Sequence, residues 1–110
     1  MHVSSQVVDT VTVLELAGRF DAHVARTVTS QLDQVTAPHQ IVVDLSNVMF
    51  VDSTGLATLV QAMKQCRQRN GDVRLSGLQQ PVRIIFELTR LDKVFQIFEH
   101  SSGAVHSFAR

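Results

Sequence analysis

The sequence predicts an α/β fold, a single domain over residues 1–110 with the element order ββαβαβαβα. Short runs rich in β-branched residues alternate along the chain with longer stretches whose apolar residues recur at helical spacing. Hydrophobic residues make up 45% of the 110 residues, which is enough for one buried core, and a chain of this length fits one domain. Strand–helix–strand order of this kind predicts a mainly parallel mixed sheet with right-handed crossovers between strands.

The first elements form a predicted β-hairpin. Residues 3–8 and 11–17 have the composition of strands, and Asp9 and Thr10 supply a tight turn between them. Both faces of the second run are largely apolar, which is typical of a strand inside a covered sheet. Gly18 is expected to stop this strand.

A first helix is predicted between Asp21, a preferred N-cap residue, and Pro38, which cannot continue a helix. Its apolar residues recur at i+4, i+8 and i+11 and form one stripe: Val24, Val28, Leu32 and Val35. Residues 41–45 follow as a short apolar run rich in β-branched side chains, which predicts a buried parallel strand.

A second helix is predicted over residues 55–69, closed by Asn70 and Gly71 as helix ends favour. Its apolar face consists of Leu56, Leu59, Val60 and Met63. Cys66 extends this face, so we expect a buried structural thiol and not a reactive one.

The remaining elements are shorter. Val73 and Leu75 alternate with Asp72 and Arg74, which predicts another strand, ended by Gly77, and Pro81 suits the first turn of a third helix. A last strand is predicted at 94–98 and a terminal helix at 104–110.

The charge balance excludes several classes of function. Ten basic residues match ten acidic ones, which argues against a broad nucleic-acid surface and against attachment to anionic lipid. No apolar stretch reaches the roughly 20 residues that cross a bilayer. No secretory signal is visible at the N-terminus either, so we expect a cytoplasmic protein.

The cysteine and histidine content predicts no metal site. A single cysteine cannot form an internal disulfide or a cysteine-based zinc site. The histidines are scattered, and no two have the i,i+4 spacing of a metal-binding helix: His2, His23, His39, His100 and His106.

The segment that carries the candidate functional side chains joins the strand at 41–45 to the helix at 55–69. If the strands at 11–17 and 41–45 are parallel, the segments that follow them emerge at one edge of the sheet, where open α/β sheets place their sites. Residues 18–21 and 46–55 should therefore be neighbours. Unusually for a surface connection, residues 48–51 are all apolar; by alternation, two should point inward and two outward.

Asp52, Ser53 and Thr54 follow this apolar run at the predicted start of the helix, and two interpretations are open. One of the three side chains caps the free N–H groups of the first turn. Alternatively, an exposed hydroxyl here accepts a phosphate, which the helix N-terminus stabilises and Asp52 repels. Because these effects oppose one another, phosphorylation would change the surface charge without refolding the domain.

Residues 44–56, DLSNVMFVDSTGL, closely resemble the signature of the STAS domain, the fold of bacterial anti-sigma factor antagonists. Residues 18–22, GRFDA, resemble its second conserved turn, and residues 88–95, LTRLDKVF, are similar to its C-terminal segment. The resemblance covers nearly the whole chain, with the motifs in the family's order.

The resemblance implies a phosphorylation switch. In the family, a partner with a histidine-kinase-like ATPase fold phosphorylates the serine directly after the motif's aspartate, which is Ser53 here. The unphosphorylated antagonist binds this anti-sigma factor kinase and frees a sigma factor; the phosphorylated antagonist releases it, and a PP2C-type phosphatase resets the switch. ATP and Mg²⁺ belong to the partner, so no cofactor is expected in this chain.

Many relatives have serine at the position of Thr54, which makes Thr54 the second choice as phosphate acceptor after Ser53. The predicted partner-binding residues, drawn from both segments of the edge, are Asp21, His23, Asp52, Ser53, Thr54 and Gly55. Asp21 has two possible roles, as the cap of its own helix or as a contact to the partner.

Other functions have weaker support. Ser53 does not lie in a G-x-S-x-G nucleophile elbow, and no base is evident, so we expect no enzymatic activity. Walker-type and G-x-G-x-x-G loops are absent. The remaining alternative is a STAS scaffold subunit of another signalling complex, which does not act on a sigma factor.

Overall fold

The computed structural model describes residues 2–109. The strands are β1 (His2–Val8), β2 (Val11–Phe20), β3 (Gln40–Val51), β4 (Asp72–Ser76) and β5 (Ile97–Phe98). The helices are α1 (Ala22–Asp33), α2 (Ser53–Gln68), α3 (Gln80–Leu88) and α4 (Ser101–His106). Strand order follows chain order; β1 pairs antiparallel with β2, and the other neighbours are parallel. The predicted element order and mainly parallel mixed sheet are confirmed.

Apolar side chains cover both faces of the sheet. The larger core packs one face against α1, α2 and α3, and its largest buried side chains are Phe20 and Phe86. A smaller cluster lies beneath α4 on the other face and consists of Val11, Val13, Val42 and Ala104.

Cys66 is buried in the larger core as predicted; this burial raises the pKa of its thiol, which disfavours the reactive thiolate. Within residues 2–109, no helix is long and apolar enough to cross a membrane.

The predicted hairpin is present, but its second strand is longer than expected. Asp9 and Thr10 form the turn, with φ angles of 50° and 69°. Gly18 does not end β2, so that prediction is wrong. Its φ of 98° lets the backbone bend, and the pairing with β3 shifts register between Gly18 and Arg19 before the strand continues to Phe20.

The segment 46–55, predicted as a surface connection, is mostly strand. β3 extends beyond the predicted 41–45 because the lengthened β2 pairs with four further residues: Asn47, Val48, Phe50 and Val51. The helix α2 correspondingly begins at Ser53, two positions before the predicted start at 55. The apolar run that looked unusual for a loop is therefore ordinary for a strand.

The side chains of residues 48–51 do not alternate strictly. Val48 and Val51 are buried, Phe50 is half-buried, and Met49 is 58% exposed. Gly18 pairs with Val48 and Arg19 pairs with Phe50, which leaves Met49 unpaired in a bulge. The expected alternation is therefore wrong: the two buried residues, Val48 and Val51, are three positions apart because the bulge at Met49 interrupts the alternation.

The end of α1 and the C-terminal elements differ from their predicted bounds. The helix α1 ends at Asp33, well before Pro38, although Val35 beyond it still packs against the core. The predicted terminal helix 104–110 is instead Ser101–His106, and the last predicted residue, Arg110, lies outside the described residues.

The predicted strand 94–98 is wrong over most of its length. Residues 91–93 form one turn of 3-10 helix, and only Ile97–Phe98 pair with β4. The apolar pattern arises because Phe95 is buried, with its ring edge-on to Phe86 at a centroid distance of 5.9 Å. Burial in a turn produced the same pattern as a strand would.

Candidate phosphorylation and partner-binding site

The ends of β2 and β3 meet the starts of α1 and α2 at one edge of the sheet. The two strands are parallel, and Phe20 pairs with Val51 as the last residues of each. The residues that follow are therefore neighbours, as predicted. We call this region, residues 18–23 and 49–55, the carboxyl edge.

Phe20 holds the start of α2 against the end of β2. The Asp52 N–H donates a hydrogen bond to the Phe20 carbonyl oxygen at 3.1 Å. Gly55 packs directly on the same residue: a Cβ atom there would lie 2.7 Å from the Phe20 carbonyl oxygen and 3.1 Å from its ring. Any larger residue at position 55 would push α2 away from the strand. The role of Gly55 is thus to position the helix, and its buried backbone is not open to a partner.

An aspartate caps each of the two helices. The Asp21 Oδ1 accepts a hydrogen bond from the Val24 N–H at 3.2 Å, and the Asp52 Oδ1 accepts one from the Gly55 N–H at 2.8 Å. Asp52 is therefore the cap among the three candidate side chains at the α2 start. Asp21 has the capping role that the sequence left open, and its half-buried side chain leaves part of its surface accessible.

Ser53 and Thr54 are both exposed but have different surroundings. Ser53 is the first residue of α2, at the positive end of the helix dipole. Thr54 lines the groove between the two helices together with Ala25 and Thr29. A phosphate on Ser53 would project beside the helix start, whereas one on Thr54 would have to fit beside α1.

Met49, Arg19 and Phe50 extend the carboxyl edge beyond the predicted residues. Met49 is the exposed bulge residue of β3, and the Arg19 guanidinium lies 3.9 Å from the centroid of the Phe50 ring. His23 is exposed on the first turn of α1. Besides Ser53, the carboxyl edge therefore exposes an apolar side chain, a cation stacked on an aromatic ring, and an imidazole.

The sequence contains Met49 and Arg19 within its motifs but does not indicate which residue of 48–51 is exposed, nor that Arg19 stacks on Phe50. Met49 looks like part of a uniformly apolar run, and only the bulge turns it outward. Arg19 lies beside a glycine that was expected to end the strand, so its stacking on Phe50 depends on the continued pairing of β2 with β3.

The chemistry available at this edge is that of an exposed hydroxyl acceptor. A phosphate on Ser53 would gain from the positive end of α2 and would be repelled by the adjacent Asp52 carboxylate. Among residues 2–109, no three His, Cys, Asp or Glu side chains cluster as a metal site would require. The geometry defines a small α/β domain with an exposed serine at a helix start, on an edge that exposes both apolar and charged side chains.

Comparison with known proteins identifies the family. The model of the STAS domain matches residues 2–104. An anti-sigma-B factor antagonist of Listeria monocytogenes is 37% identical to the chain over 84 residues, which span 74% of each sequence. The chain belongs to the STAS domain family.

Solved structures share the whole fold. An anti-sigma factor antagonist from Mycobacterium paratuberculosis has a TM-score of 0.87 at 25% identity, covering 99% of this chain and 94% of the other. The Bacillus cell fate determinant SpoIIAA in its phosphorylated form has a TM-score of 0.75 at 16% identity, covering 96% of this chain and 98% of the other. At such identity the second likeness shows the fold alone.

Removing either aspartate cap should lower the free energy of unfolding. Asp52→Ala deprives the Gly55 N–H of its acceptor and Asp21→Ala deprives the Val24 N–H, so we expect each to cost about 0.5–2 kcal/mol in urea unfolding. Asp33→Ala is the matched control, because this exposed carboxylate ends α1 where the helix dipole disfavours negative charge. Its loss should be neutral or slightly stabilising; equal destabilisation in all three variants would contradict the capping roles.

Proposed function

We propose that this protein is an anti-sigma factor antagonist that regulates transcription through phosphorylation of Ser53. With a free Ser53 hydroxyl, the carboxyl edge binds an anti-sigma factor, and phosphorylation releases it. The observation that carries the proposal is the exposure of Ser53 at the first residue of α2, on an edge that also exposes Met49. The named antagonists among its relatives support this assignment.

The proposed partner is an anti-sigma factor with a histidine-kinase-like ATPase fold, which is also the serine kinase. A PP2C-type phosphatase would remove the phosphate. The kinase brings ATP and Mg²⁺, so this chain acts by binding, without catalysis and without a cofactor of its own. The proposal locates the exchange of partners in the cytoplasm and assigns residues 1–110 to one STAS domain.

The electrostatics of the edge suggest how the phosphate expels the partner. The modification adds about −1.5 to −2 charges at neutral pH. While the domain is free, water and the α2 N-terminus accommodate that charge. In a complex the phosphate would lie beside Asp52 and against a surface that has displaced water, and burying an uncompensated charge costs several kcal/mol. Phosphorylation would therefore destabilise the complex, whereas the free domain would keep its fold.

Met49 is the proposed apolar anchor of the interface. It is the large apolar side chain that the β3 bulge exposes beside the α2 start. Methionine suits a surface that binds and releases, because its flexible side chain adapts to a partner. Arg19 and His23 are exposed and Asp21 is half-buried on the same carboxyl edge, and they would supply the polar rim that interfaces usually have.

Phosphate transfer identifies the acceptor. Incubation with the cognate anti-sigma kinase and ATP should label the wild type, and Ser53→Ala should abolish the labelling. Thr54→Ala is the matched control, because it removes the neighbouring hydroxyl from the α1–α2 groove and should leave the labelling intact. Mass spectrometry of the labelled peptide checks the site. Labelling that survives in Ser53→Ala and disappears in Thr54→Ala would reassign the acceptor to Thr54.

Affinity measured by calorimetry tests the release step. Ser53→Asp should weaken binding to the anti-sigma factor by about tenfold or more, because it introduces an unpaired charge into the interface. Ser102→Asp is the matched control, since it adds the same charge to an exposed serine in the first turn of α4, on the other face of the sheet. It should bind like the wild type. Unchanged affinity of Ser53→Asp would contradict charge-driven release and favour a scaffold role.

A further inference from the structure

One edge of β1 is unpaired in the part of the chain that the structure describes, residues 2–109. This strand is the first in the sheet order, so it pairs with β2 on one side and with no described strand on the other. The hairpin turn decides which residues face which side. Asp9 and Thr10 form a two-residue loop between Val8 and Val11, and such loops are closed by a hydrogen-bonded pair of flanking residues.

Starting from that closing pair, the backbone N–H and C=O groups of successive β1 residues point alternately toward β2 and away from it. Val8, Gln6 and Ser4 direct their N–H and C=O groups toward β2. Val7, Ser5 and Val3 therefore direct theirs outward, which leaves three donor–acceptor pairs along the open edge.

Nothing in the sequence of β1 blocks this edge. Natural edge strands are usually protected by charged residues, proline or bulges. The strand His2–Val8, HVSSQVV, contains no Lys, Arg, Asp, Glu or Pro, and it pairs with β2 without a register shift. Val7 at one end of the outward-facing set is 71% exposed. An open, unprotected strand of this kind is suited to pairing with another strand.

The residue spacing fits a second copy of the same chain. In an antiparallel pair with Ser5 on a twofold axis, Ser5 faces Ser5 and Val3 faces Val7 in both directions. All three outward-facing residues of each copy then exchange hydrogen bonds with an outward-facing residue of the other. The same register would cover Val7 of each copy with Val3 of the other.

Charge does not oppose a second copy. The formal net charge is zero, so two copies do not repel one another at long range. In the twofold register, Val8 faces His2 of the other copy, and the charged Asp9 belongs to the hairpin turn beyond the paired strands. No two like-charged side chains of the strands face each other.

We propose that two copies of this protein associate through antiparallel pairing of β1 with β1, with Ser5 on the twofold axis, to give a continuous ten-stranded sheet. Interfaces made by one short strand are at the small end of specific interfaces, so the dimer is reversible. The inference is independent of the proposed function, because it uses no residue of the carboxyl edge.

Amide hydrogen exchange tests the register. As the protein concentration rises, exchange at Val3, Ser5 and Val7 should slow on the order of tenfold or more, while Ser4 and Gln6, already bonded to β2, should not change. Sedimentation velocity should show a monomer–dimer equilibrium over the same concentrations. A monomer throughout, or a dimer whose formation protects other amides and not these three, would overturn the proposal.

Substitutions at the axis provide the second test. Ser5→Pro removes the outward N–H, and proline is tolerated where an edge-strand N–H faces solvent, so this variant should stay folded and monomeric. Ser5→Ala keeps the N–H and should dimerise like the wild type. Val7→Lys places a charge on the edge and should also give a monomer, which decides the question if Ser5→Pro fails to fold. A dimer that persists in Val7→Lys and in folded Ser5→Pro would overturn the proposal.

Discussion

The close contact between Gly55 and Phe20 is the constraint on which the carboxyl edge depends. It lets the first turn of α2 pack directly on the end of β2, and the hydrogen bond from the Asp52 N–H to the Phe20 carbonyl secures the same junction. With the helix start fixed there, Asp52 can cap α2 while its neighbour Ser53 remains in solvent. A helix start displaced from the strand would carry Ser53 away from the surface formed by the two strand ends.

This arrangement separates a buried frame from an exposed surface that carries the proposed phosphate acceptor. The frame consists of buried groups, the caps and the parallel strand ends, and none of them includes the Ser53 hydroxyl. The same edge exposes Met49 and carries the Arg19–Phe50 pair, and these apolar and cationic groups belong to the proposed partner-binding surface. A phosphate can thus change the charge of the surface, and with it the stability of a complex, without disturbing the contacts that build the edge. The proposed switch is local electrostatics acting on a preformed site.

Much of this site could be predicted because it rests on local chemistry. Aspartates before apolar helical patterns predict caps, and parallel strands bring the segments after them together; the structure contains both features at Asp21 and Asp52. The strand lengths could not be predicted, because β2 and β3 extend only by pairing with each other. Gly18 looks like a stop in a single strand, but between paired strands it forms a bend, and the resulting bulge exposes Met49. The different surroundings of Ser53 and Thr54 likewise depend on the packing of α2 against α1, which neighbouring positions in a sequence do not reveal.

The central claim is that phosphorylation of Ser53 changes the charge of the carboxyl edge and leaves the start of α2 packed against the end of β2. Amide hydrogen exchange at Asp52 and Gly55, compared between the unphosphorylated and the Ser53-phosphorylated protein, tests it most directly, because both N–H groups are donors within the frame. The account predicts that their protection stays within about threefold in the two states. A loss of protection by orders of magnitude on phosphorylation would show that the helix start opens, and would contradict a switch that acts through charge alone.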